Sequence, residues 1–394
     1  MTFIIRPARK GDLQHLYEMA KLTGGGFTNL PPDRTSLTTK LARSEAAFTR
    51  EDDGVQDELF VLVLENLKTG EVRGTCQLFT EVGQTHPFYS YRLGTLTQHS
   101  RELNRTFRAE MLALTTDLEG ACEVGGLFLH PGERAGGLGL LLARSRYLFI
   151  RAHRQRFADR ILAELRGIID EAGGSPFWDG LAGRFFGMNF QDADQFNAIH
   201  GHQFIADLMP KHPIYTAMLT ETARAAIGLP HPSGRAAMRM LENEGFAFEQ
   251  YVDIFDGGPT MTARTDRVRS IEAAREARVT ATDGGDGVES LVATGRLTDF
   301  RCAYGLVVPD GDTVTLSADC AAALTVADEL VDAGQRIRGL EEELNALRDV
   351  RVVAADRARA TQSAVANALN SASDRIEKMA QALNRPARNG IAIG

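Results

Sequence analysis

The sequence predicts an α+β protein with a sheet-and-helix domain, a small β-rich C-terminal subdomain and a C-terminal helical tail. Three observations lead to this prediction. Strand-like apolar runs alternate with helical segments at the start of the chain, an apolar strand leads through a Gly-rich turn into an apolar helix near its middle, and the composition changes after about residue 260. With 394 residues, the chain has room for two or three structural units.

The first 80 residues predict the opening elements of the sheet domain. Asp12 can cap a helix, and the Gly- and Pro-rich residues 24–32 must form a loop. The pattern predicts a strand at residues 3–5, a helix after Asp12, a second helix at about 36–48, and a hairpin of strands at 59–64 and 72–79.

The middle of the chain gives a mixed signal. Residues 83–120 show no clear period, which predicts loops or irregular sheet edges. The elements predicted after them are a strand at 122–129, a helix from Leu140, a strand at 161–165, helices at 177–186, 192–200, 213–219 and 235–244, and a strand at 248–255.

We predict three regions: residues 1–260, 261–340 and 341–394. The second region contains β-like runs at residues 290–293, 300–308, 313–316 and 335–340. The third is rich in Ala, Arg, Glu and Leu, but its apolar stripe ends near Arg351, so a sustained coiled coil is not supported. A helical appendage packed on the body or on a partner, or a solvated helix, fits this composition.

Composition argues against several functional classes. The net charge of −8 argues against nucleic acid as a partner, and no segment approaches the ~18 apolar residues of a membrane span. Four widely spaced cysteines predict buried thiols in a reducing, cytoplasmic setting. His200 and His202 have no evident third ligand, so no metal is expected.

The Gly-rich turn between the central strand and helix is the main chemical signal. Its residues are Arg134, Ala135, Gly136, Gly137, Leu138 and Gly139. Glycine lets a backbone approach a phosphate closely, and the first N–H groups of a helix attract anions. Arg134 can add a charge-assisted contact. The pattern therefore favours binding of the CoA pyrophosphate.

Other interpretations of the turn are weaker. A P-loop requires Lys-Ser or Lys-Thr after its last glycine, and neither follows here. A dinucleotide-binding fingerprint opens the first βα unit of a parallel domain, whereas this turn follows a hairpin. A purely structural turn remains open on the residues alone.

The order of elements around this turn resembles the GNAT acyltransferases, and several longer stretches resemble one family, the arginine N-succinyltransferases. The resemblance covers about residues 1–340, and the tail is an addition to it. The matching stretches are residues 23–31 (TGGGFTNLP), 91–96 (YRLGTL), 127–129 (LFL), 164–167 (ELRG), 175–178 (SPFW), 208–215 (LMPKHPIY), 231–232 (HP) and 253–260 (DIFDGGPT).

The resemblance implies a GNAT-like fold and transfer of a succinyl group from succinyl-CoA to the α-amine of L-arginine, a step of arginine catabolism. Some members of the family also accept ornithine. Succinyl-CoA is then a co-substrate, and no permanently bound cofactor is expected. Family members form dimers, so we expect a homodimer or a heterodimer with a related subunit.

The resemblance also implies site residues. Leu127 matches the family's CoA-contacting leucine, and with Phe128 and Leu129 it would lie at the thioester. His231 matches the catalytic proton donor. On the residues alone, a cap of the helix before Arg235 is favoured over a catalytic role for His231, and His212 is a second candidate.

The two substrates require charged partners. A succinyl carboxylate needs a cation, for which Arg92, Arg166 and Lys211 are candidates. A guanidinium needs carboxylates, and the candidates are Glu164, Asp170, Glu171 and Asp256. For each of these residues, an ordinary structural ion pair is favoured on the residues alone. Two alternative functions stay open: acetyl transfer to another small amine, and a non-catalytic subunit of the same family.

Overall fold

The computed structural model describes residues 3–23, 27, 29–134, 136–200, 203–281, 286–325 and 329–332. The predicted β-like run at 335–340 and the predicted helical tail from 341 lie outside these residues. So do Ala135, His202 and residues 24–26 and 28 of the loop predicted at 24–32.

Strands and helices alternate through the described residues. The strands are β1 (Phe3–Pro7), β2 (Leu59–Asn66), β3 (Val72–Phe79), β4 (Ser90–Ser100), β5 (Arg105–Thr115), β6 (Cys122–Leu129), β7 (Arg160–Glu164), β8 (Ile214–Tyr215), β9 (Ala247–Asp253), β10 (Pro259–Arg264), β11 (Arg275–Ala281), β12 (Val288–Thr294), β13 (Arg301–Asp310), β14 (Thr313–Leu316) and β15 (Glu329–Asp332). The helices are α1 (Leu13–Lys21), α2 (Arg34–Thr49), α3 (Leu138–Ala152), α4 (Pro176–Gly180), α5 (Gly183–Phe186), α6 (Phe190–His200), α7 (Gln203–Leu208), α8 (Glu221–Ala226), α9 (Arg235–Asn243), α10 (Arg269–Ala273) and α11 (Ala318–Leu324).

Helices cover both faces of the central strands, which explains why β2 is apolar along its length. Leu59 and Val61 pack in a core with α1 and α2. Phe60, between them, points to the other face, where its ring centroid lies 4.9 Å from that of Phe149 in α3. This two-sided burial stabilises the part of the sheet from which the site is built.

The sheet runs in the order β1-β2-β3-β6-β7-β10-β9-β4-β5-β8. Beyond β1, the strands β13, β14, β11, β15 and β12 form a ring, because β12 also pairs with β13. Ile5 of β1 pairs with Cys302 of β13, which joins the ring to the rest of the sheet. The predicted boundary at residue 260 falls within β10, which pairs with β7 and β9; the division into regions stays a prediction.

The α+β class is confirmed, and β1, α1, α2, β2, β3, β6 and α3 follow one another in the GNAT-like order, with β4 and β5 inserted between β3 and β6. Two local predictions were wrong. Residues 83–120 contain the long β4–β5 hairpin, whose largely exposed faces leave no apolar alternation to detect. Residues 213–219 form the short strand β8 and a 3₁₀ turn, because Ile214 and Tyr215 pair with β5.

Candidate active site

Strands β6 and β7 begin side by side and then separate. They pair in parallel only at Cys122–Ile161 and Glu123–Leu162. Further along, β6 keeps β3 as its partner and β7 pairs with β10. The two backbones therefore border an opening in the sheet, which we call the β6–β7 opening.

A β-bulge lies on the β6 side of this opening. The pairing to β3 slips by one residue between Gly125 and Phe128. Gly126 and Leu127 therefore face a single residue of β3, which takes one of their backbone N–H groups out of the ladder. Gly126 has a φ of +57°, and a Cβ there would lie 2.7 Å from the Gln77 side chain. Glycine is thus required where the strand turns toward the opening.

The three residues predicted to lie at the thioester are in the bulged part of β6. Phe128 is buried in the core formed with α1 and α2, so only its backbone is available to a ligand. Leu127 and Leu129 are half-buried. A Cβ on Gly139 would lie 3.9 Å from the Leu129 side chain, which places Leu129 against the start of α3.

The predicted phosphate-binding turn leads into α3 as expected. Gly136 and Gly137 have φ values of +74° and +77°, and a Cβ on either would meet no atom within 4 Å. The Gly137 carbonyl accepts the N–H groups of Leu140 and Leu141 at 3.0 and 3.1 Å. The preceding N–H groups, including that of Leu138, have no carbonyl partner within the helix and can bind an anion. Exposed Arg134 lies just before the turn.

His231 is attached to the β7 side of the opening. Its backbone N–H donates to the carbonyl of Arg166, just past the end of β7, at 2.7 Å. The ring Nδ1 lies 2.7 Å from the Ser233 hydroxyl and accepts the Ser233 N–H at 3.3 Å. This confirms that His231 caps the turn before Arg235. Burial and the charge of Arg166 lower its pKa, so the ring is neutral at pH 7.

A buried acid–base pair lies where β6 and β7 separate. Burial raises the pKa of Glu123 to about 7, opposed by the charge of Lys40 and a hydrogen bond from Asn29. Burial also lowers the pKa of Lys40, in α2, to about 8. The Lys40 ammonium donates to the backbone carbonyl of Asn29 at 3.0 Å. Both groups titrate near neutral pH, which is the property required of groups that transfer protons.

More carboxylates lie along β7 and the β9–β10 connection. Burial, followed by the charge of Asp253, raises the pKa of Glu164 well above its usual range. Burial raises the pKa of Asp256 to about 7. Asp256 accepts the N–H groups of Gly167 at 2.7 Å and Gly258 at 2.8 Å, so it ties the end of β7 to the β9–β10 turn.

The three basic candidates are in different environments. The Nε of Arg166 is buried and has no hydrogen-bond partner among the described residues. Arg92 pairs with Asp117 at 3.3 Å, and Lys211 donates to the carbonyl of Ala206 at 2.5 Å. Only Arg166 combines a position beside the β6–β7 opening with an unused buried donor.

The acidic candidates also differ in their exposure and in their position relative to the β6–β7 opening. Asp170 is exposed and accepts the Gly174 N–H at 2.7 Å, and Glu171 is exposed. Glu164 is in β7 at the opening, whereas Asp256 fixes the loop beside it. His212, the second histidine candidate, is exposed.

The cysteines are buried and free, as predicted. They are Cys76, Cys122, Cys302 and Cys320. Burial raises the pKa of each thiol, to about 12 for Cys76 and Cys122. None is poised as a nucleophile, so the site favours direct attack by an amine over an acyl-cysteine intermediate.

Among the described residues, no group of three or more His, Cys, Asp or Glu side chains is placed to hold a metal ion. No helix in the same part of the chain has the length and apolar character needed to cross a membrane.

Sequence reasoning missed Lys40, Glu123 and Asp253. Glu123 had a local signal, because it is a lone charge within an otherwise apolar strand. Lys40 belongs to an exposed-looking helix, and Asp253 ends a strand like many turn residues. Their proximity depends on strand order, which no local pattern contains.

Comparison with known families gives matches over most of the chain. The pattern of the arginine N-succinyltransferase beta subunit matches residues 3–270, and that of the beta subunit's C-terminal domain matches residues 275–329. The Enterobacter sp. (strain 638) protein named arginine N-succinyltransferase is 42% identical over 80% of this chain and 92% of its own length. A Citrobacter koseri protein of the same name is 41% identical over 85% and 96%.

A solved structure also matches. It is described as arginine/ornithine succinyltransferase subunit AI from Pseudomonas aeruginosa, with a TM-score of 0.78 and 32% identity. The match covers 84% of this chain and 98% of that one.

Proposed function

Because this chain belongs to the arginine N-succinyltransferase family and is an acyltransferase, we propose that it transfers succinyl from succinyl-CoA to the α-amine of L-arginine. The observation that carries the proposal is the 42% identity, over 80% of the chain, to a relative of that name. The β6–β7 opening supports it, since it combines a bulged strand, an anion-binding helix start and groups that titrate near neutrality.

For acyl-CoA, we assign the pyrophosphate to the start of α3, with Gly136, Gly137, Leu138 and Gly139 supplying backbone and Arg134 supplying charge. The thioester then lies along the bulge. A free backbone N–H of the Leu127–Phe128 segment donates to the carbonyl oxygen, where negative charge develops during attack. Such a donor contributes about 3 kcal/mol in other acyl-transfer enzymes.

For the amine, we assign proton transfer to Glu123 and His231. The α-ammonium, with a reference pKa near ~8, first loses a proton to the Glu123 carboxylate. The neutral nitrogen attacks the carbonyl carbon, and the C–S bond breaks as the amide forms. His231 takes the second nitrogen proton at Nε2 and passes it to the departing sulfur. This step uses the tautomer in which Nδ1 carries the ring proton and donates it to Ser233 Oγ, in place of the tautomer in which Nδ1 accepts the Ser233 N–H.

For the succinyl carboxylate, we assign Arg166, because its buried Nε has no partner among the described residues. Acetyl-CoA has no carboxylate, so the arginine would discriminate between the two thioesters. An Arg166→Gln protein should lose preference for succinyl-CoA by roughly tenfold or more.

The proposed homodimer, or heterodimer with a related subunit, has a candidate surface in the β4–β5 hairpin. Leu96, Leu103 and Phe107 are exposed there, Leu103 to 74%. A ribbon exposed on both faces gains little stability alone, so a partner would stabilise it. Sedimentation of the full chain tests the homodimer, and a monomer at micromolar concentration would contradict it and leave only the heterodimer.

The function is tested by measuring CoA release from succinyl-CoA and acetyl-CoA with a panel of amines. We expect turnover with succinyl-CoA and L-arginine, and ornithine is the second amine to compare. Preference for acetyl-CoA by roughly tenfold, about 1.4 kcal/mol, would indicate an acetyltransferase instead. CoA binding without turnover of any amine would indicate a non-catalytic subunit.

A further inference from the structure

The pairing of four strands places two carboxylates and two hydroxyls on one face of the sheet. Thr260 of β10 is directly opposite Glu164 of β7, and Ser90 of β4 is opposite Asp253 of β9. Thr260 is also opposite Tyr251, which lies two residues before Asp253. Opposite residues, and residues two apart, share a face. The four side chains therefore line one surface beside the β6–β7 opening.

The carboxylates on this surface keep unused acceptor atoms. Asp253 Oδ1 accepts the N–H groups of Phe255 and Asp256, which leaves its Oδ2 free. The Glu164 carboxylate has no hydrogen-bond donor or ion-pair partner among the described residues. Asp256, in contrast, uses both oxygens to hold backbone N–H groups. Glu164 and Asp253 are thus the two acidic groups available to a ligand.

The hydroxyls give an independent indication that a ligand belongs here. Ser90 and Thr260 are 1% and 0% exposed, and neither hydroxyl oxygen has a partner within the described part of the chain. A buried hydroxyl without a partner costs free energy, so such groups normally meet a protein, water or ligand atom. Together with the carboxylates, they offer acceptors to a group with several N–H donors.

We propose that Glu164 and Asp253 bind the guanidinium of the amine substrate, with Ser90 and Thr260 as supporting acceptors. Taking arginine as the substrate rests on the proposed function. A guanidinium is a planar cation with five N–H donors, which suits acceptors from two strands. The described residues hold no set of three ligands for a metal ion, so a compact cation fits less well.

Glu123 has a different role, because Lys40 already lies close enough to stabilise its charge. Glu164 has no such neighbour, and burial together with the charges of Asp253 and Glu123 disfavours its ionisation. An arriving cation would supply the missing positive charge. The two ends of arginine are thereby separated, with the α-amine toward Glu123 and the guanidinium toward Glu164 and Asp253.

The test compares Glu164→Gln with wild type and with Glu249→Gln as a matched control. Glu249 is an exposed β9 residue that pairs with Arg160. With succinyl-CoA, Glu164→Gln should lower kcat/KM for arginine by about 10- to 100-fold and leave the KM for succinyl-CoA unchanged. Calorimetry with CoA present should show weaker arginine binding and unchanged binding of citrulline, which has a neutral ureido group. Glu249→Gln should match wild type.

An unchanged preference for arginine over citrulline in Glu164→Gln would overturn the inference. If that protein does not fold, Thr260→Val serves, with an expected loss of a few-fold in the same preference; no loss would overturn the inference. Failure of the proposed function looks different, because wild type would then release no CoA with arginine. In that case the binding measurement still tests the site. If wild type binds arginine more tightly than citrulline and the variant loses this preference, the site is supported. If wild type shows no such preference, the inference is overturned.

Discussion

Two His-Pro turns in this molecule have nearly the same local structure. His130 and His231 each precede a proline and cap a 3₁₀ turn, with φ and ψ of −52° and 134° in the first and −50° and 144° in the second. In each, Nδ1 accepts the N–H of the residue two positions later, Gly132 at 3.2 Å and Ser233 at 3.3 Å. The His-Pro pairs at residues 86–87 and 212–213 begin no such turn, so the pattern alone identifies neither a capped turn nor a catalytic histidine.

The surroundings distinguish the two histidines. The Nδ1 of His130 lies 2.9 Å from the Arg73 guanidinium, and the turn leads to the start of α3, where we propose that the CoA pyrophosphate binds. The Nδ1 of His231 lies 2.7 Å from a hydroxyl, and its backbone N–H donates to the Arg166 carbonyl just past the end of β7. A cation on Nδ1 fixes a ring in place, whereas a hydroxyl can either donate to Nδ1 or accept from it.

Replacing each histidine separately by alanine gives the largest expected difference in kcat between the two turns. His231→Ala should lower kcat by roughly 10²- to 10⁴-fold, because the proposed proton transfer to sulfur loses its carrier. His130→Ala should leave kcat within a few-fold of wild type. Steady-state CoA release with succinyl-CoA and arginine measures both.

The same pair of variants can contradict the proposal. A folded His231→Ala protein with near-normal turnover would remove His231 from the chemistry. If kcat falls as much in His130→Ala as in His231→Ala, the reaction depends on the capping of the turns and not on proton transfer by the His231 ring.

Replacing Arg166 tests the role of His231 through the pH dependence of kcat. Burial and the Arg166 charge lower the pKa of His231, and the neutral ring is the form that accepts a proton. Activity is thus present above this pKa and lost as the pH falls through it. In Arg166→Gln the pKa rises toward its ordinary value, so the acid limb of kcat should move to higher pH.

This experiment needs a control for charge alone. Arg224 is exposed and pairs with Glu221, and the charge that lowers the pKa of His231 is that of Arg166, so Arg224→Gln should keep the wild-type acid limb. Acetyl-CoA should be used beside succinyl-CoA, because Arg166→Gln is also expected to weaken succinyl binding about tenfold. An unmoved acid limb with both thioesters would mean that another group, such as Glu123, sets it.

The sequence predicted the parts of the candidate site that are formed by consecutive elements of the chain. Strand β6, the turn at Gly136–Gly137 and helix α3 follow one another, so apolar runs and glycines predicted them directly. The family-like motif at residues 164–167 indicates Glu164 and Arg166 as candidates, but the sequence indicates Asp170 and Lys211 equally well.

What the sequence lacked was the order of the strands. Ser90, Glu164 and Asp253 meet because β4, β9, β10 and β7 are neighbours, although they are far apart in the chain. The β4–β5 hairpin was missed for a related reason, since its exposed faces remove the alternation that marks a strand. Non-local pairing therefore decided which charged residues belong to the site.

A stability measurement separates the structural roles of the two turns. His130→Ala removes the cap and the contact with Arg73, and it should lower the free energy of unfolding by about 0.5–2 kcal/mol. Its KM for succinyl-CoA should rise a few-fold, because the turn orients the start of α3. Denaturant unfolding and initial rates test this, and a changed KM for arginine alone would contradict it.

The smallest expected effect comes from Ser233→Ala, which leaves His231 in place and removes the hydroxyl at 2.7 Å from Nδ1. The ring keeps the Ser233 backbone N–H as a partner, and that contact favours the tautomer with the proton on Nε2. The variant must therefore rearrange before Nε2 can accept a proton, and kcat should fall by about 2- to 5-fold with KM values unchanged. Ser233→Thr keeps a hydroxyl and should restore most of the rate. Equal rates in Ser233→Ala and wild type would show that the hydroxyl does not select the tautomer, and the two His-Pro turns would then differ only in the charges around them.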